Sequence, residues 1–132
     1  MKFTLIFIFS QDRKEVLMIN KIKGPYPNCL NGVGGKIEIF DRTIEEAALR
    51  EVLEETGLRS TDISPLEFLV KETFSDGTEL NVFYTTIGSH ATVKQMEEEQ
   101  LEWCDVESLL DVRDKRLAGN GNIPYFLNFI LK

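Results

Sequence analysis

Between Thr43 and Gly57 the chain carries a fully punctuated helix, and no other segment limits the fold as tightly. Thr43 followed by Glu46 makes a capping box, Ile44 to Thr56 contains neither Gly nor Pro, and Gly57 stands where a helix end takes a left-handed residue. Ala48, Leu49, Val52 and Leu53 supply an apolar side to lay on a sheet. Glu51, Glu54 and Glu55 stand at i, i+3 and i+4, a spacing that gathers side chains within about 5–6 Å at Cβ. Carboxylates that close repel one another unless a cation sits on them. Hard oxygen ligands in this arrangement suit Mg²⁺ or Mn²⁺, which take carboxylates together with substrate phosphates.

The rest of the chain is expected to build a sheet beneath that helix. Phe3 to Phe9 reads as a buried central strand and Glu15 to Asn20 as its returning partner across the polar turn Gln11-Asp12-Arg13-Lys14. Gly24-Pro25-Tyr26-Pro27-Asn28 is a loop, and the three glycines of Asn31-Gly32-Val33-Gly34-Gly35 let the backbone approach a ligand. Leu66 to Phe74 and Glu79 to Gly88 flank Ser75-Asp76-Gly77-Thr78, a hairpin signal. An acidic run, Glu97-Glu98-Glu99, precedes a short strand at Leu101 to Cys104, with a helix expected near Val106 to Leu110. After a turn at Asn120-Gly121-Asn122, a helix over Ile123 to Leu131 tolerates Pro124 in its first turn. Strands interleaved with helices on two faces imply an α/β/α sandwich.

A length of 132 residues fits one domain spanning residues 1–132. The net charge of -7 argues against binding a nucleic-acid polymer, so an anionic substrate must arrive with metal. Cys29 and Cys104 lack the spacing of a zinc site and read as free thiols of a reducing compartment. No apolar run reaches the roughly 18–20 residues of a membrane span, and the opening run is too short for a signal sequence, so a cytoplasmic protein is expected.

The glycine segment and the acidic helix together resemble the Nudix box, Gly-x5-Glu-x7-Arg-Glu-U-x-Glu-Glu-x-Gly-U with U aliphatic. Arg50 to Leu58 match it at every specified position. The first half departs from it: with five residues between, Gly35 is followed by Asp41 where Glu is usual, and eight residues rather than seven separate Asp41 from Arg50. Phe40 replaces the common glycine. In the family that Glu braces the loop against the Arg.

The resemblance implies a Nudix-type α/β/α sandwich with a mixed sheet and a metal-dependent pyrophosphohydrolase that releases a nucleoside monophosphate and pyrophosphate. Glu54 and Glu55 would be metal ligands, Glu51 a ligand or the base, and the Gly34 carbonyl a further ligand. A distal carboxylate would come from Glu97, Glu98 or Glu99, with Glu98 favoured. Arg50 would orient the helix carboxylates.

The upstream pattern Phe3-Thr4-Leu5, Lys21-Ile22-Lys23-Gly24 and Asn31 to Lys36 is similar to the MutT branch that acts on oxidised purine nucleoside triphosphates. On that similarity Asn31 would read a base edge, Lys21 approach the phosphates and Thr4 line the pocket, beside Gly35 and Lys36. A turn asparagine, a solvated strand end and strand filler are the plainer readings of Asn31, Lys21 and Thr4. Trp103 reads as a core residue, Asn120 and Asn122 as turn residues, and His90 as a surface side chain without a partner. A nucleotide-sugar or dinucleotide pyrophosphatase is the alternative enzyme. A non-catalytic nucleotide-binding Nudix module, or a purely structural acidic protein, would come from another class. Partners are expected to be a small-molecule nucleotide and at most a second copy of the chain, with no membrane.

Overall fold

The computed structural model describes residues 1–22, 28–111, 113–119 and 121–131, so the expected loop at 24–27, Lys23 of the MutT-like pattern and Asn120 lie outside the described residues. Six strands form one sheet in the order β3-β2-β1-β5-β4, with β6 joined to β2. Strand β1 (Lys2–Phe9) lies at its centre, antiparallel to β2 (Glu15–Asn20) and parallel to β5 (Glu79–Thr86), so the sheet is mixed. The hairpin of β4 (Glu67–Thr73) with β5 forms the far side, its turn closed by Phe74 N–H donating to Thr78 O at 2.8 Å and by Gly77 at φ 89.

The unbroken apolar run of β1 follows from burial on both faces. Successive side chains point to opposite sides. Leu5, Phe7 and Phe9 meet Val16, Met18, Val82 and the Ile123, Phe126 and Leu127 of α2 (Asn122–Leu131). Ile6 and Ile8 meet Leu17, Phe83, Leu58 and the Ala48 and Val52 of α1 (Ile44–Thr56). One helix therefore covers each face, and the architecture is an α/β/α sandwich.

Helix α1 begins as its sequence dictates: Thr43 Oγ1 accepts from the Glu46 N–H at 3.0 Å. A cap of this kind is worth about 0.5–2 kcal/mol over Ala. The helix ends at Gly57, whose φ of 74 lets its N–H reach Leu53 O at 3.0 Å. Its packed face differs from the expected one. Ala47, Ala48 and Val52 are buried, whereas Leu53 is 46% exposed, because the sheet lies along the 48-52 row and Leu53 points about 100° away from it.

Strand β2 is paired on both edges. Strand β6 (Gln100–Asp105) runs beside all of it, from Glu15 opposite Asp105 to Asn20 opposite Gln100. Strands β1 and β3 (Leu30–Asn31) share the other edge. Beyond β3 the glycine segment crosses to β1, with Val33 bridged to Ile6 and Lys36 to Phe3. The sheet thereby feeds this segment toward the base of α1.

Two further expectations change. Val106–Leu109 is a short 3₁₀ turn capped by Asp105, not a helix reaching Leu110. His90 does have a partner, since its Nε2 lies 3.4 Å from Asp62 Oδ1, although the pair is solvent-facing. Trp103 packs against the cluster under α1, as a core residue. Both cysteines are free, and among the described residues no helix is long and apolar enough to cross a membrane.

Candidate active site

Two glycines carry the approach of the loop to the helix. A Cβ at Gly34 would fall 2.2 Å from the Thr4 carbonyl oxygen, and one at Gly35 would fall 2.7 Å from Glu51 Oε1. At Gly34 the Thr4 backbone and a φ of 151 leave room for hydrogen alone, whereas a side chain at Gly35 would have to displace the Glu51 carboxylate. Thr4 is buried, and its backbone N–H donates to Gly35 O at 2.8 Å while its Oγ1 donates to the same oxygen at 3.3 Å. Thr4 thus anchors the loop to β1. Gly34 N–H then donates to Glu55 Oε1 at 2.8 Å.

The three helix carboxylates sit in different surroundings. Glu55 is buried to 6% exposure, Glu51 is largely covered, and Glu54 is 49% exposed. Burial pushes the Glu55 carboxyl up to about 7, against the opposing pull of Lys21 and the Gly34 N–H. The charges of Glu51 and Glu97 push in the same direction as burial. Glu51 is also raised, mainly by burial and in part by Glu54, with Arg50 opposing. A desolvated carboxylate among like charges is a place where a cation is stabilising.

Arg50 is the hub of the exposed side. Its Nε and Nη2 donate to Asp41 Oδ1 and Oδ2 at 3.0 and 2.9 Å, its Nη2 also donates to Lys36 O at 3.1 Å, and its Nη1 reaches Glu51 Oε1 at 3.0 Å and Glu54 at 3.3 Å. The fork-on-fork geometry with Asp41 is the strong, directional kind. It holds the Asp41 carboxyl well below the usual range and raises the guanidinium further. The Asp41 side chain is 2% exposed, and its Oδ2 also accepts from Glu38 N–H at 2.8 Å. The altered loop therefore still braces Arg50, with the Asp41 carboxylate engaging both Nε and Nη2. Phe40 adds its ring beneath the guanidinium, with Cζ 5.3 Å from the centroid.

On the buried side stands Lys21, its Nζ 4.0 Å from Glu55 Oε2 and 3.6 Å from Glu99 Oε1. Of the acidic run, Glu99 is the residue tied to this cluster. Glu97 acts on Glu55 through its charge, and Glu98 is exposed.

The structure thus joins Thr4, Lys21, Gly34, Gly35, Lys36, Arg50, Glu51, Glu54 and Glu55 in one network, with Lys36 contributing its backbone. Asn31 stands just upstream, where its Oδ1 accepts from Gly32 N–H at 2.9 Å, as a turn asparagine does. Sequence reasoning missed Phe40 as a contact of Arg50. It also missed Asn81, which is fully buried opposite Thr4 and has the one buried side-chain oxygen without a partner among the described residues. A lone Asn inside the apolar run Leu80 to Phe83 was the available signal.

Among the described residues no three His, Cys, Asp or Glu side chains close on a common point, because Arg50 and Lys21 hold the carboxylates in ion pairs. The oxygen-only donor set still fits a hard divalent cation. A cavity of about 410 Å³ lined by Asn20, Leu30, Glu102, Cys104 and Arg116 involves none of the helix carboxylates. The Cys104 thiol there is pushed up to about 11 by burial, so it is not a thiolate nucleophile at neutral pH.

A family model of the NUDIX domain matches residues 3–125. This chain belongs to the NUDIX domain family. Its acidic helix is complete, and its enzyme class is that of the Nudix pyrophosphohydrolases. No curated protein sequence matches this Nudix chain. Among solved structures it is similar to a MutT described for Aliivibrio salmonicida and Vibrio cholerae, at 19% identity and a TM-score of 0.69 over 99% of this chain and 98% of that one. It is also similar to the NUDIX domain of Shewanella oneidensis NrtR complexed with ADP ribose, at 17% identity and 0.74 over 100% and 88%. A C. elegans Ap4A hydrolase matches at 15% identity and 0.73 over 98% and 95%. At such identities the likeness is one of fold.

Proposed function

We propose that this Nudix domain uses Mg²⁺ or Mn²⁺ to cleave the phosphoanhydride of nucleoside triphosphates, yielding a nucleoside monophosphate and pyrophosphate, with oxidised purine deoxynucleotides as the favoured class. The observation that carries this reading is the contact of the glycine segment with the helix carboxylates, Gly34 N–H on Glu55 and Gly35 against Glu51. It sets two raised carboxylates beside backbone that has no side chains to block a diphosphate.

Glu54 and Glu55 would hold the metal with the Gly34 carbonyl, which accepts no hydrogen bond from the described residues. A bound divalent ion would supply charge compensation on phosphate oxygens and a more acidic water. Glu51, raised and adjacent, is suited to a second ligand role or to taking the proton of the attacking water. Arg50 is a positioning residue, clamped by Asp41 so that Glu51 and Glu54 keep their places. Asn31 retains its amide N–H groups for a base edge, Lys21 and Lys36 offer positive charge to phosphates, and one of Glu97, Glu98 or Glu99 supplies the distal carboxylate. We take the chain to act as one domain on a small-molecule nucleotide, as monomer or homodimer, in the cytoplasm, where free thiols persist.

A nucleotide-sugar or dinucleotide substrate is the second reading, supported by the fold likeness to the ADP-ribose-complexed and Ap4A-hydrolase structures. A Mg²⁺-dependent screen over ordinary and oxidised nucleoside triphosphates, ADP-ribose and dinucleoside polyphosphates decides between them. Glu54→Gln is expected to lower turnover by roughly two orders of magnitude or more with the melting temperature kept, as for a group that acts in the transition state. An unchanged rate would remove the proposed metal centre.

A further inference from the structure

We propose that Lys21 is a tethered counter-ion that neutralises Glu55 in the metal-free protein and is released when a divalent ion binds. The inference rests on the metal reading above and extends it to the state before metal arrives.

Glu55 has little bulk water to stabilise its charge, since its side chain is 6% exposed. One of its oxygens is taken by Gly34 N–H at 2.8 Å, and the other faces Lys21 Nζ at 4.0 Å. Lys21 Nζ also lies 3.6 Å from Glu99 Oε1, so a single ammonium spans two acidic segments far apart in sequence. The β2-β6 register enforces this: Asn20 lies opposite Gln100, so the next residue on one strand faces the preceding one on the other. A divalent cation on Glu55 would bring two positive charges against that ammonium. Coulomb repulsion at such distances is unfavourable even when partly screened, so the two cations compete. Lys suits the task because its stem is flexible and its charge compact.

Isothermal titration of Mn²⁺ into wild type, Lys21→Met, Lys21→Gln and Lys21→Arg tests this. The two neutral variants are expected to bind Mn²⁺ roughly tenfold more tightly, the Arg variant about as wild type, and metal-free Lys21→Met to melt lower yet gain more from Mn²⁺. Wild type offers an independent measure. Reductive methylation read by mass spectrometry should modify Lys21 faster when Mg²⁺ is added, while the exposed Lys14 stays constant. Equal or weaker Mn²⁺ affinity in both neutral variants, or Lys21 labelling unmoved by Mg²⁺, overturns the inference. Failure of the metal reading has a different signature: wild type itself shows no saturable Mn²⁺ binding, and Glu54→Gln changes nothing.

Discussion

On the α2 side of β1, Leu5, Phe7 and Phe9 pack into an apolar cluster, and Phe126 and Leu127 of the helix are fully buried. On the α1 side the same strand offers Thr4, Ile6 and Ile8, and the covering helix ends in a buried glutamate beside two glycines. The two faces spend their burial differently. One converts it into cohesion. The other gives up methyl groups and solvates a carboxylate poorly, which costs stability and prepares a place for a cation.

The largest effect that separates the faces is expected from Phe126→Ala. Loss of a fully buried ring beside Phe7 should destabilise by about 3–5 kcal/mol in urea unfolding, with turnover per folded molecule preserved. A fall in turnover matching that of the site variants would mean that the faces are not separable.

A middle-sized effect is expected from pH. Burial raises the Glu55 carboxyl from its ordinary 4.5 to about 7, so between those values the folded state holds a proton that the unfolded state has lost. Metal-free stability should therefore fall as pH rises across that window and level off above it, and Glu55→Gln should flatten this part of the profile. Parallel wild-type and variant curves would show that Glu55 is not desolvated as described.

The smallest effect is expected from Phe40→Ala. Its ring is 65% exposed and stacks on Arg50, so a loss of about 0.5–1 kcal/mol in thermal unfolding is expected, with the Asp41 clamp holding the site in place. A large drop in turnover would make Phe40, rather than Asp41, the principal brace.

These differences also mark how far the chain could be read before its folding was known. The helix with its caps, the two-faced central strand and the carboxylate spacing are local patterns, and each was legible. What depended on register was not. Glu98 and Glu99 lie in the bend just before β6, and which of them approaches the cluster is set by where β6 begins against β2, with Gln100 opposite Asn20 and Glu99 reaching Lys21. Likewise nothing local distinguishes Glu54 from Glu55, yet the line along which α1 meets the sheet buries one and exposes the other. That Asp41 grips Arg50 through both carboxylate oxygens was also not readable from a position that departs from the family pattern in residue and in spacing.

The parallel pairing of β1 with β5 also bears on how the molecule comes into being. Lys2 lies opposite Glu79 and Phe9 opposite Thr86, so β1 cannot complete its neighbourhood until the distant β5 has emerged. Until then β1, apolar from Leu5 to Phe9, waits with an open edge. Such long-range closure slows folding and leaves a sticky intermediate, so refolding should be slow for a domain of this size and sensitive to protein concentration. The glycine segment, which must lie against that same strand, can take its final path only after the strand is fixed.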